Sequence, residues 1–164
     1  MRIVVMGVAG AGKTTVGERL AERLGAPYVD ADELHPDENV AKMSAGIPLS
    51  DADREPWLGR TLDRLVESSS IVVSCSALKR EYRDVLRRAD DVRFVFLDAD
   101  PAIIRGRVAG REGHFMKQDM IDSQFDALER PDPAESDVLT VAADRPIGSI
   151  VDDVLGAIGD RTGT

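Results

Sequence analysis

The N-terminus constrains this chain more than any other stretch. Ile3-Val4-Val5-Met6 is a short, continuous apolar run rich in β-branched residues, and it stops at Gly7. Such a run reads as a buried parallel strand. It opens directly into Gly7-Val8-Ala9-Gly10-Ala11-Gly12-Lys13-Thr14, after which Val16, Leu20 and Leu24 recur at helical spacing. A strand, a glycine-rich turn and a helix in succession curl backbone N–H groups around an anion. The helix then points its positive end at the same anion. In this context the G-x-x-x-x-G-K-[ST] pattern implies a nucleotide phosphate site. Gly7, Gly10, Ala11, Gly12, Lys13, Thr14 and Thr15 form the expected binding set. Lys13 reaches the β- and γ-phosphates, and the Thr14 hydroxyl ligates Mg²⁺.

The remaining periodicity continues this beginning. Tyr28-Val29, Ile71-Val72-Val73, Val92 to Leu97 and Val138 to Val141 read as four more strands. Helical faces lie between them: Leu58, Leu62, Leu65 and Val66; Leu78, Tyr82, Val85 and Leu86; Ile103, Ile104 and Val108; Met120, Ile121, Phe125 and Leu128. Gly25 with Pro27 ends the first helix, Asp100-Pro101 caps a later one, and Pro146 opens the last. Alternating strands and helices predict an α/β fold, a parallel sheet covered on both faces. Ligands in such folds bind beyond the carboxyl ends of the strands. The chain has 164 residues, which fits one domain over 1–164. Its net charge of −9 argues against a nucleic-acid or membrane-surface partner. The N-terminal apolar run is too short to span a bilayer. A lone cysteine, Cys75, makes no internal disulfide, which points to the cytoplasm.

A phosphate loop leaves the fate of the γ-phosphate open. A GTP-driven switch normally carries an Asn-Lys-x-Asp segment, and the one asparagine here, Asn39, has other neighbours. A small-molecule kinase instead needs an acceptor pocket, a carboxylate near the acceptor hydroxyl, and positive charge around the transferred group. The segments after the strands fit that requirement. Asp30 and Asp32 stand at i, i+2 after the second strand, and both face one side if the strand continues. Asp30 is the expected metal residue. Asp32 is expected to orient or deprotonate the acceptor hydroxyl, with helix capping as its bland alternative. His35 and His114 are candidate hydroxyl partners with equally good structural readings. Ser50 and Asp53 fit a capping box, which leaves Arg54 as a guanidinium able to fork onto a carboxylate. Trp57 suits core packing as well as a ligand wall. Ser74-Cys75-Ser76 turns the third strand into a polar pocket before Lys79. Arg83, Arg87 and Arg88 read as a solvated helix face. Arg105, Arg107 and Arg111, interrupted by Gly110 and Gly113, suggest a lid around 107–119 that neutralises the transferred charge.

These segments together resemble the gluconokinases. The resemblance rests on Asp32-Glu33-Leu34-His35-Pro36, on Lys42-Met43 followed by Gly46-Ile47-Pro48-Leu49, and on Asp51-Ala52-Asp53-Arg54-Glu55-Pro56-Trp57. Cys75-Ser76-Ala77-Leu78-Lys79, Gly113-His114-Phe115 and Ser123-Gln124-Phe125 add to it, all in family order. Ala31, where glycine is more usual, and Met116-Lys117 depart from the pattern. The resemblance implies transfer of the ATP γ-phosphate to the 6-hydroxyl of D-gluconate. It implies the fold of the nucleoside monophosphate and shikimate kinases, a five-stranded parallel sheet ordered 2-3-1-4-5, and commonly a homodimer. It implies that Asp32, His35, Lys42, Arg54, Lys79, His114 and Gln124 bind the acceptor, and that Lys13 and Arg111 stabilise the transition state. Arg107 and Pro146 flank the nucleotide base by analogy with related kinases. A shikimate kinase, the alternative enzyme, would usually carry three glycines where this chain has Ser74-Cys75-Ser76. The acidic total then belongs to the outside of the molecule. Lys13, Arg54, Lys79, Arg105, Arg107 and Arg111 are expected to line a locally positive cleft.

Overall fold

The computed structural model describes residues 1–109 and 118–161. Strands β1 (Arg2–Met6), β2 (Tyr28–Asp30), β3 (Ile71–Ser74), β4 (Val92–Asp98) and β5 (Val138–Ala142) form one sheet. Every pairing is parallel, and the order is β2-β3-β1-β4-β5. Helices α1 (Lys13–Leu24), α2 (Asp37–Ser44), α3 (Asp51–Glu67), α4 (Arg80–Leu86), α5 (Pro101–Ala109), α6 (Gln118–Ala127) and α7 (Ile147–Arg161) lie between or after the strands. The five expected strands and their order are those observed. Helix α2, inside the stretch that reads only as polar, has no strong periodicity to announce it.

The alternation of side chains along β1 divides the core in two. Ile3 and Val5 point to one face, where they join Val16 and Leu20 of α1, Ile104 of α5, Ile121 of α6 and Ile150 and Val154 of α7. Val4 and Met6 point to the other, joining Phe94, Phe96, Trp57, Leu58, Leu65 and Leu86 under α3 and α4. A central strand covered on both faces has no solvated side. That is why β1 is apolar throughout its buried length rather than alternating. The aromatic-poor composition leaves the first face almost wholly aliphatic.

Local signals set the element ends. Ser50 and Asp53 make the capping box reciprocally, Ser50 N–H donating to Asp53 Oδ2 at 2.9 Å and Asp53 N–H to Ser50 Oγ at 3.1 Å. Asp100 Oδ1 accepts from Ala102 N–H at 2.8 Å. Gly25 closes α1 in the left-handed conformation.

Two sequence expectations fail here. The strand conformation does not continue past Asp30, because residues Ala31–Leu34 wind into a short 3₁₀ turn. The residue that caps the turn is Asp30, whose Oδ1 accepts from Asp32 N–H at 2.9 Å. Nor are Arg83 and Arg87 a solvated face. Arg83 is 1% exposed. Its Nε and Nη2 grip the two carboxylate oxygens of Glu135, each at 2.9 Å. Arg87 joins them, donating to Glu135 Oε1 at 2.7 Å and to both oxygens of Asp137. The partners lie about fifty residues away in sequence, so α4 alone gives no sign that its arginines face inward.

Candidate active site

The glycine-rich loop follows the carboxyl end of β1, Asp30 ends β2 with Asp32 just after it, and Lys79 follows β3. Gly7 begins the loop after β1 at φ +147°, and a Cβ there would stand 3.0 Å from the Leu97 carbonyl oxygen, so only glycine fits. Gly12 caps α1. Lys13 donates from Nζ to the Val8 carbonyl at 2.9 Å, folding over the loop it belongs to. Burial pushes the Lys13 ammonium below its ordinary pKa, and the carboxylates of Asp32 and Asp30 pull it back up. The loop is braced from below. Tyr28 OH bonds Ser74 Oγ at 2.9 Å, and Ser74 Oγ donates to the Lys13 carbonyl at 2.9 Å. Thr14 and Thr15 are exposed at the start of α1.

Asp32 stands with Lys13 and Asp30 at the loop's mouth. Lost hydration raises its pKa above the ordinary carboxylate value. Lys13 opposes the rise, and Asp30 and Glu33 add to it. A carboxyl tuned upward beside the lysine of a glycine-rich loop is a candidate for proton transfer. The turn that carries it is pinned by Trp57, whose buried indole donates from Nε1 to the Ala31 carbonyl at 2.7 Å. Trp57 is therefore core and buttress, not a ligand wall.

His35 stacks on Trp57 with ring centroids 4.6 Å apart. Burial, helped by the Arg54 charge, lowers its pKa to about 4, so the imidazole is neutral at pH 7. Asn39 Nδ2 donates to the Asp53 carbonyl at 2.8 Å, which fixes the orientation of the amide. The same Nδ2 lies 3.1 Å from His35 Nδ1, making that nitrogen the acceptor and assigning the proton to Nε2. Lys42 is held at Asp53, 2.9 and 2.8 Å from its two oxygens.

The acceptor side is a cleft of about 630 Å³ whose walls include Arg54, Lys79 and Gln124, with Met43, Ile47 and Met120 as apolar surface. Arg54 donates to the Leu49 carbonyl at 2.9 Å and to Tyr82 OH at 3.3 Å. Lys79 donates to Asp51 Oδ1 at 3.0 Å, and Tyr82 OH donates to the same oxygen. Both cations lie within 6 Å of the Tyr82 ring, at 5.6 and 5.7 Å from its centroid. One aromatic side chain thus spaces two positive groups in the wall of the cleft. Tyr82 and Asp51 escape a reading of the sequence, because the first falls on an apolar helical stripe and the second on a cap.

The loop carrying Lys79 is itself held from behind. Arg83 Nη1 donates to the carbonyls of Ala77 at 3.1 Å and Leu78 at 3.3 Å. Ala77 sits at φ +43°, a conformation that costs energy for a residue with a Cβ. The buried Arg83–Glu135 pair keeps it there. Hydrogen bonds from Arg83 and Arg87 overcome the effect of burial on Glu135 and bring its pKa to about 2.

Gln124 and Arg107 both touch the phosphate loop. Ala9 N–H donates to Gln124 Oε1 at 2.6 Å. Arg107 donates to the Gly10 carbonyl from Nη1 and to the Ala143 carbonyl from Nη2, each at 3.1 Å. Pro146 precedes α7, and its neighbour Ile147 approaches Gly12. Arg105 does not reach the cleft. It is half-exposed and pairs with Asp122, so it leaves the expected positive lining. Arg111, His114 and most of the expected lid at 107–119 lie outside the described residues. Among the described residues no group of three or more His, Cys, Asp or Glu side chains is arranged to hold a metal.

A family model, "Shikimate kinase", matches residues 9–158. The thermosensitive gluconokinase of Escherichia coli K12 is 41% identical over 160 residues, which cover 94% of this chain and 86% of that protein. The crystal structure of a gluconokinase from Sinorhizobium meliloti 1021 superposes with a TM-score of 0.90 at 44% identity, covering 97% of this chain and 91% of the other. A shikimate kinase from Bacteroides thetaiotaomicron superposes with a TM-score of 0.71 at 22% identity, covering 97% of this chain and 98% of that one, a likeness of fold.

Proposed function

The chain belongs to the shikimate kinase family and, within it, to the gluconokinases, and from that premise we propose that it transfers the γ-phosphate of ATP to the 6-hydroxyl of D-gluconate. The observation that carries the choice of acceptor is the high identity with gluconokinases across nearly the whole chain, against the much lower identity with a shikimate kinase. Ser74-Cys75-Ser76 in place of a triple glycine supports it. So does the cleft. Gluconate is a carboxylate with a row of hydroxyls, and the cleft walls offer Arg54 and Lys79 as a cationic anchor and Gln124 as a donor and acceptor, with the neutral His35 near Arg54. Buried polar groups of this kind reject analogues lacking a hydroxyl by roughly 10⁴-fold.

In this reading the gluconate carboxylate rests on Arg54, which donates to a carbonyl and a phenol rather than to a carboxylate. The 6-hydroxyl points toward Asp32. Asp32 takes the hydroxyl proton as the oxygen forms its bond to the γ-phosphorus, and the bond from that phosphorus to the bridging oxygen breaks to release ADP. Lys13 and Arg111 neutralise charge on the group in transit. Arg107 and Pro146 flank the base. Lys42, fixed to Asp53, and His114 complete the acceptor set. Thr14 and Asp30 would hold Mg²⁺. A hydroxyl and a carboxylate are hard oxygen donors, and Mg²⁺ normally takes only one or two carboxylates beside phosphates and water. The ion, when bound, screens the phosphate charge and orients it. The chain acts as a single domain and a homodimer in the cytoplasm. No helix among the described residues is long and apolar enough to cross a membrane.

Coupled ADP-release assays with gluconate, shikimate and common nucleotides test the reading. Gluconate-dependent release with Mg²⁺ is expected. Release with shikimate and none with gluconate overturns it. Light scattering tests the dimer.

A further inference from the structure

Two consecutive residues of the phosphate loop, Ala9 and Gly10, are gripped by α6 and α5. Gly10 offers its carbonyl to Arg107 of α5, and Ala9 offers its N–H to Gln124 of α6. The second contact matters more. An N–H carries one proton and makes one strong hydrogen bond. In a glycine-rich loop of this type such protons are the phosphate-binding equipment. The Gln124 amide oxygen, 2.6 Å away, is therefore placed where a phosphate oxygen would compete with it. Gln124 also lines the acceptor cleft, together with Met120, Ser123 and Ala127 from the same helix. One side chain stands at the seam between the two substrate sites.

We propose that Gln124 couples the two sites: a nucleotide that brings a γ-phosphate takes the Ala9 N–H, and the released amide turns its oxygen and two N–H donors to the hydroxyls of the acceptor. This rests on the reading of the acceptor as gluconate. It makes Gln124 a positioning residue, tied to the phosphate loop until the nucleotide displaces it. The two ends of the amide give the exchange its chemistry. One oxygen accepts, two protons donate, and a polyol offers partners for both. ADP lacks the competing phosphate and leaves Gln124 on the loop. The acceptor then binds more tightly beside ATP than beside ADP. By linkage, gluconate tightens a γ-phosphate-bearing nucleotide by the same factor. One neutral hydrogen bond exchanged in this way corresponds to about a 3- to 10-fold change in affinity.

Isothermal titration of D-gluconate into the full-length protein tests this. Mg²⁺ is present throughout, with ADP or with a nonhydrolysable ATP analogue. The wild type is expected to bind gluconate about 3- to 10-fold more tightly with the analogue than with ADP. Gln124→Leu is expected to bring the two affinities together. A purely structural role would weaken both equally and keep their ratio. Equal affinities in the wild type, or an unchanged ratio in Gln124→Leu, overturn the coupling. If Gln124→Leu does not fold, Gln124→Glu carries the test. It retains an oxygen for Ala9 but sets a negative charge against the γ-phosphate, so the analogue should weaken more than ADP. Equal weakening overturns the proposal. Gluconate turnover by the wild type separates the two conclusions. With turnover and no nucleotide dependence, the coupling alone fails; with no gluconate turnover, the reading fails and the coupling with it.

Discussion

The phosphate loop and the acceptor cleft are built by opposite means. The loop is made of backbone: seven or eight consecutive residues whose N–H groups and glycine dihedrals do the work, braced by Ser74 and by Gln124. The cleft is made of side chains. Arg54, Lys79 and Gln124 come from α3, the β3–α4 loop and α6. Arg54 is held by Tyr82 of α4 and the Leu49 carbonyl, Lys79 by Asp51, and Gln124 by the Ala9 N–H. A backbone site tolerates many substitutions around it but none that changes its path. A side-chain site depends on every buttress, including buttresses far from the substrate. The variants below test that difference.

The greatest effect is expected from Arg83→Met. Removing one member of a buried ion pair costs up to about 3–5 kcal/mol, and here Glu135 loses its bidentate partner and keeps only Arg87. Urea denaturation should show the loss. If the cleft depends on its buttresses, the gluconate KM should rise while the ATP KM stays near the wild-type value. An equal rise in both would erase the distinction between the two sites.

Asp32→Asn comes next, at the seam of the two regions. Loss of a general base lowers kcat on the order of 10³-fold. The wild-type kcat should fall on acidification as Asp32 takes a proton. Its raised pKa sets that fall above the ordinary carboxylate range, and the variant should lack it. Normal turnover in Asp32→Asn would remove Asp32 from the chemistry.

Arg54→Ala should raise the gluconate KM roughly 10- to 100-fold, the worth of a charged hydrogen bond, with little change in the ATP KM. Gly17→Ala tests the other side. A Cβ there would lie 2.6 Å from Ser74 Oγ and 2.7 Å from Tyr28 Cε2, in the brace beneath the loop. Overpacking of this kind costs about 1–3 kcal/mol. Its kinetic signature should be a raised ATP KM with the gluconate KM unaffected.

The smallest effect is expected from His35. Its folded pKa of about 4 lies below the ordinary 6.5, so the folded protein binds fewer protons than the unfolded chain between those values. Stability is fully present above pH 6.5 and declines as pH falls toward 4. His35→Gln should flatten that part of the stability profile in thermal melts.

These two regions were not equally legible. The phosphate loop, its strand and its helix follow one another in the chain, and steric rules for glycine and strand alternation act over a few residues. Around the cleft, Arg54 and Lys79 could be read from their own segments, Gln124 only through resemblance to a family, and Tyr82, which holds Arg54, not at all. Arg83 shows why. On α4 it looks like its solvated neighbours. Its partner Glu135 lies 52 residues on, and burial appears only when the β5 approach folds beside α4. Asp30 shows a smaller version of the same limit. The i, i+2 spacing predicted two carboxylates on one face, but a 3₁₀ turn made one the cap of the other.

The sequence by itself determined a parallel α/β sheet, its five strands, and an anion-binding loop at the end of the first. Those follow from periodicity and from short-range dihedral limits. Tertiary structure alone decided which charges face inward, which carboxylate is tuned upward, and that Gln124 bonds the glycine-rich loop from the wall of the cleft. Hydration, burial and hydrogen-bond partnership belong to groups brought together across the chain, and no local pattern encodes them.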